Sequence, residues 1–116
     1  MSVESLDIRS TRIKDTLYIA LCGELDMDGA ADLTVLLAQI KDSELAAVEL
    51  DLTGLAYLDS IGLLHIARLY RAARALTAPL TVFVKEGSHI QQILRLIGAG
   101  DLFNVVASPI KTRFKS

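Results

Sequence analysis

Apolar and polar residues alternate in LDIRS (residues 6–10), and an almost wholly apolar run follows at TLYIALC (16–22). Lys14-Asp15 lies between the two, so the pattern predicts two strands joined by a turn. Gly23-Glu24-Leu25-Asp26 then breaks the strand pattern. From Met27 to about Lys41 the apolar residues Ala30, Leu33, Leu36, Leu37 and Ile40 fall at helical spacing. Asp26 or Asp28 is placed to cap that helix, and early acids suit the positive end of its dipole. Residues 46–52, AAVELDL, predict a strand that ends near Thr53-Gly54. A second helix is expected from about Ser60 to Leu76. Ala78-Pro79 stops it, because proline has no amide proton and disfavours helix in the residue before it. Residues 80–84, LTVFV, form a short apolar strand between Pro79 and Lys85-Glu86-Gly87. Ser88 opens a third helix with Ile90, Ile93, Leu94 and Ile97 on one face, and Gly98 closes it. A last strand is expected at 102–106, after Asp101.

The order β-β-α-β-α-β-α-β implies crossover connections and an α/β fold. We expect a small mixed, mostly parallel sheet of four to five strands, with about three to four helices chiefly on one face. The chain has 116 residues, enough for a single core, and the expectation is one domain over 1–116. Residues 109–116 read as a flexible basic tail.

Composition narrows the function classes. With 52% apolar and 22% charged residues the balance is globular, and the net charge of −2 gives nucleic acid no broad basic surface to meet. No apolar run reaches the roughly 18 to 20 residues a membrane span needs. Residues 1–15 lack the basic start and apolar stretch of a secretion signal. The one cysteine, Cys22, lies in an apolar run and reads as a small buried side chain in a cytoplasmic protein. His65 and His89 are too far apart in sequence to suggest a metal site.

Ser60, Asp59 and His65 invite a nucleophile–base reading, but Ser60 and His65 are five positions apart and point about 140° away from each other on a helix. An acid adjacent to the serine cannot orient such a histidine, and no Gly-x-Ser-x-Gly elbow surrounds Ser60. No dinucleotide or P-loop glycine spacing occurs either. Glu24 and Asp26 could hold a cation, although capping and solvation explain them more simply. The expectation is therefore no enzyme, no catalytic residue, no metal and no cofactor.

The helix from Ser60 carries a sharper signal. Leu63, Ile66, Tyr70 and Ala73 gather on one side and predict the core face, while Ile61, Leu64, His65 and Arg68 lie opposite. Two branched aliphatics on an outer face require either a covering loop, such as 23–28, or a docking partner.

Several stretches together resemble the STAS domain, and in particular the anti-sigma factor antagonists of bacteria. They are Gly23-Glu24-Leu25-Asp26 after an apolar strand, Asp51-Leu52-Thr53-Gly54, and Leu58-Asp59-Ser60-Ile61-Gly62-Leu63. Ile97-Gly98-Ala99-Gly100-Asp101-Leu102-Phe103 is similar to the segment that closes the family's third helix. The likeness runs in order from about residue 6 to 108. It implies that Ser60 is phosphorylated by an anti-sigma factor that is also a serine kinase, and that a phosphatase reverses the change. It further implies that the unmodified form binds the anti-sigma factor and so releases a sigma factor for transcription. The implied partner-binding residues are Glu24, Asp26, Asp59, Ser60, Ile61, Leu64, His65 and Arg68, on a monomer or weak dimer. Two features depart from the family pattern: Ile61 stands where a small residue is usual, and the chain ends in a basic tail. The rival expectation is a STAS accessory subunit of a transporter or signalling scaffold that is not phosphorylated.

Overall fold

The computed structural model describes residues 6–25, 33, 35, 36, 38–40, 44–98 and 104–108. Five strands form one sheet in the spatial order of the sequence: β1 (Asp7–Ile13), β2 (Thr16–Leu25), β3 (Ala47–Leu58), β4 (Leu80–Lys85) and β5 (Asn104–Ser108). β1 and β2 are an antiparallel hairpin closed by Ile13 opposite Thr16, with Lys14 at φ 57° in the two-residue turn. Every later pair is parallel. Parallel neighbours need crossovers, and helices supply them. They are α1 (Ser60–Ala75), α2 (His89–Leu96) and the helical residues 33, 35, 36 and 38–40. The mixed, mostly parallel sheet with three helical stretches is the fold class expected from the alternation of periods.

One face of the sheet makes the core. Leu17, Ile19 and Leu21 of β2, Val48, Leu50 and Leu52 of β3, and Leu80, Val82 and Val84 of β4 are all buried there. Leu33, Leu36 and Ile40 join them, as their spacing predicts, while Ala30 and Leu37 lie outside the described residues. On the opposite face Tyr18, Cys22, Glu49, Thr81 and Phe83 are only half-buried. Right-handed crossovers that all step the same way along a sheet put their helices on one side, which accounts for this asymmetry.

Two strand ends differ from expectation. β2 runs through Gly23-Glu24 to Leu25, and β3 runs past Thr53-Gly54 to Leu58. The pairing slips between Ala20 and Cys22 and again between Gly23 and Glu24, so β3 carries extra residues at both places. The turn-like signals therefore mark bulges inside a ladder, not its end. Gly23 takes φ 101°, a conformation that side chains resist. Asp51, only 2% exposed, accepts hydrogen bonds from the Thr53 amide (2.8 Å) and the Thr53 hydroxyl (2.6 Å) beside the first bulge.

The core face of α1 is also shifted. Gly62, Ile66, Leu69, Ala72 and Ala73 are buried, whereas Leu63 and Tyr70 are half-buried. Gly62 has no side chain to register in a hydrophobic pattern, yet it is where the helix backbone comes nearest the sheet. A Cβ there would strike the Leu25 carbonyl oxygen, and would lie 2.7 Å from Leu25 Cγ and 2.9 Å from Leu58 Cδ1.

Candidate functional site

The carboxyl ends of the parallel strands β2, β3 and β4 share one rim of the sheet, and both α1 and α2 begin on it. At this rim Leu25 pairs with Leu58, Glu24 pairs with Tyr57, and the Asp59 amide donates to the Leu25 carbonyl at 3.4 Å. Asp59 is the N-cap of α1: its Oδ1 accepts from the Gly62 amide at 2.8 Å and its carbonyl from the Leu63 amide at 2.9 Å. That bond commits one oxygen of the carboxylate to the helix start. Ser88 caps α2 in the same way, accepting from the Gln91 amide at 3.1 Å, while Gln91 Oε1 accepts from the Gly87 amide at 2.7 Å.

Ser60 is the first residue of α1 and is exposed. Ile61 is 39% exposed and Leu64 45%. Arg68 is exposed on the same side of the helix, and His65 is half-buried. Glu24 and Asp59 are half-buried beside them. Thus Glu24, Asp59, Ser60, Ile61 and Leu64 come together at the rim, with His65 and Arg68 further along α1. Asp26, the other expected contact, lies outside the described residues, as do the tail 109–116 and the expected cap Asp28.

Tyr57 is a member of this surface that sequence patterning misses. It is 44% exposed and sits one residue before Leu58, across from Glu24. Ending the strand at Thr53-Gly54 hides it. Strict alternation from the buried Leu55 would turn Tyr57 inward as well; the second bulge, between Leu55 and Tyr57, resets the facing so that Leu58 is buried and Tyr57 exposed, and no local sequence signal marks it. Tyr57, Ile61 and Leu64 are exposed apolar residues within four positions of the exposed Ser60.

Other features give catalysis little to work with. Cys22 is half-buried where full burial was expected, because it lies on the sheet face opposite the one that packs the core. Its thiol pKa is raised, first by burial and then by Asp7 and Asp51, with Arg9 opposing, so the reactive thiolate is disfavoured. A cleft of about 370 Å³ between Tyr70, Arg74, Pro79, Leu80 and Asn104 adjoins the other end of α1, roughly 20 Å from Ser60 by the rise of the helix. Among the described residues no helix is long and apolar enough to cross a membrane.

A family model described as "Mlab, STAS domain" matches residues 8–106. No curated protein matches the chain. Among solved structures, an anti-sigma factor antagonist from Mycobacterium paratuberculosis superposes with a TM-score of 0.77 at 19% identity, over 89% of this chain and 86% of that one. SpoIIAA, an anti-sigma factor antagonist in its unphosphorylated form, gives 0.73 at 15% identity, over 88% and 90%. A variant of RsbS from Moorella thermoacetica gives 0.69 at 15% identity, over 87% and 86%. At such identities the likeness to these structures is one of fold. The family model, matching most of the chain on the strands and helix start just described, adds the family: the chain belongs to the STAS domain family and has the fold of the anti-sigma factor antagonists.

Proposed function

We propose that this chain is a cytoplasmic, bacterial anti-sigma factor antagonist that binds an anti-sigma factor with serine kinase activity and is turned off by phosphorylation of Ser60. The observation that carries this reading is an exposed hydroxyl at the start of α1 among exposed Tyr57, Ile61 and Leu64. In the modification the Ser60 oxygen takes the γ-phosphoryl group of ATP, ADP leaves, and the hydroxyl proton passes through the kinase to solvent. A phosphatase hydrolyses the ester and restores the active form. Release of the sigma factor then follows from capture of its anti-sigma factor.

The first turn of a helix has free amides and a favourable dipole, so phosphate there adds about −1.5 to −2 charges without strain on the fold. The consequence falls on the partner. Burying that charge against Ile61 and Leu64 without a cation costs several kcal/mol, and a loss of about 4 kcal/mol weakens binding roughly a thousandfold. No movement within the domain is required.

The test is intact-mass measurement after incubation with the anti-sigma factor kinase of the native genome and ATP. Wild type should gain one phosphate and Ser60→Ala none; equal uptake by both rejects the reading. A second reading draws support from the matched family model, whose description names Mlab and not an antagonist. As an accessory subunit of a transporter or scaffold, the chain would bind its partner equally well as wild type, Ser60→Ala or Ser60→Glu.

A further inference from the structure

α1 carries Arg68, Arg71 and Arg74 on SIGLLHIARLYRAARA and not one acid. All three arginines are exposed, and among the described residues none has a carboxylate within ion-pair distance. Arg74 has a local reason to be cationic. It lies in the last turn, where positive charge offsets the helix dipole, and it donates to the Tyr70 hydroxyl at 3.4 Å. Arg68 and Arg71 lie before that turn, beyond the reach of this effect. They stand three positions apart on one face, where like charges repel and weaken a helix. Nothing within α1 offsets that repulsion. The same face continues directly from the apolar group, since Ile61, Leu64, Arg68 and Arg71 are spaced three, four and three residues apart.

We infer that Arg68 and Arg71 are the electrostatic half of the docking surface, and that the partner segment seated on α1 is acidic. The inference rests on the partner-binding reading above and adds the chemistry of the partner. Such a segment sets apolar side chains over Tyr57, Ile61 and Leu64 and carboxylates over the two guanidiniums, about 10 to 15 Å along the helix from Ile61 at 1.5 Å per residue. A protein suits this surface better than a lipid headgroup layer. Two cations fall short of the clusters of four or more that hold anionic membranes, and the chain's net charge of −2 opposes that approach. An acidic partner also sharpens the switch. Arg68 and Arg71 draw it in, and a phosphate on Ser60 repels the same carboxylates.

The experiment measures association of the full chain with the anti-sigma factor kinase that modifies Ser60, at about 50 mM and about 300 mM salt. Wild-type association should slow about tenfold or more at the higher salt. The double variant Arg68→Glu/Arg71→Glu should associate about tenfold or more slowly at low salt, lose its salt dependence, and melt as wild type does. An unchanged rate and salt dependence in the double variant overturns the inference. If Ile61→Asp still blocks binding in that case, the function stands without it. A wild type that the kinase neither binds nor modifies removes both. Phosphatidylglycerol vesicles that sediment wild type but not the double variant would assign the cations to a lipid surface instead, which also overturns the inference.

Discussion

Gly62→Ala sets two physical effects against each other. Alanine is the better helix former by about 1 kcal/mol, so local propensity alone predicts a more stable α1. Packing predicts the reverse. The added Cβ would press on the Leu25 carbonyl oxygen and sit 2.7 Å from Leu25 Cγ and 2.9 Å from Leu58 Cδ1, where ordinary contact begins near 3.4 Å. Leu58 can turn part of its side chain away. The Leu25 carbonyl cannot, because it belongs to the β2 ladder and accepts from the Asp59 amide. Overpacking of this kind costs about 1–3 kcal/mol, and a backbone neighbour puts the cost at the upper end. Subtracting the propensity gain leaves a net loss of about 2 kcal/mol from these two terms. For a domain of this size that lowers the melting temperature by roughly 8 °C. Urea and thermal unfolding followed by circular dichroism measure it directly. A melting temperature that rises by a few degrees would mean that the helix start is not held against β2, and the close approach that places Ser60 at the rim would be wrong.

Other expectations follow from the same coordinates. Asp59→Ala should lose about 1 kcal/mol of stability in urea unfolding and Asp59→Ser much less, because the cap needs only an oxygen for the Gly62 amide. Gly54→Ala should destabilise, since its Cβ would lie 2.6 Å from Cys22 Sγ, and Cys22→Ala in the same chain should recover part of that loss. Strict additivity in that double-mutant cycle would remove the contact. Because burial raises the Cys22 pKa above its ordinary 9.0, the folded state favours the neutral thiol. The associated stability is present below that ordinary value and declines as pH rises through and beyond it, so the melting-temperature difference between wild type and Cys22→Ala should shift against wild type at alkaline pH. Ile61→Asp and Leu64→Asp should change folding stability by no more than about 0.5 kcal/mol, being exposed, while abolishing partner binding. A large fall in melting temperature would make them core residues.

The periods of two and of 3.6 in the apolar positions determined the five strands, the helices between them and the mainly parallel sheet, because those periods are what burying one face imposes on each element. The start of α2 was equally legible, because Ser88 caps it by chemistry that acts within four residues, as Asp59 does for α1. Local pattern could not tell a bulge from an end. Thr53-Gly54 looks like a stop, and only pairing with β2 carries β3 on to Tyr57 and Leu58. Local pattern oriented α1 only roughly: Ile66 and Ala73 are buried as expected, but Leu63 and Tyr70 are half-buried against the core, and the face also turns on Gly62 and Leu69. A glycine contributes nothing to a hydrophobic pattern and becomes decisive only when a neighbouring backbone approaches. The gathering of Glu24, Tyr57, Ser60, Ile61 and Leu64 on one rim was likewise settled by tertiary structure. It depends on the register of two strands separated by more than twenty residues of chain, and register is a property of the pair, not of either segment.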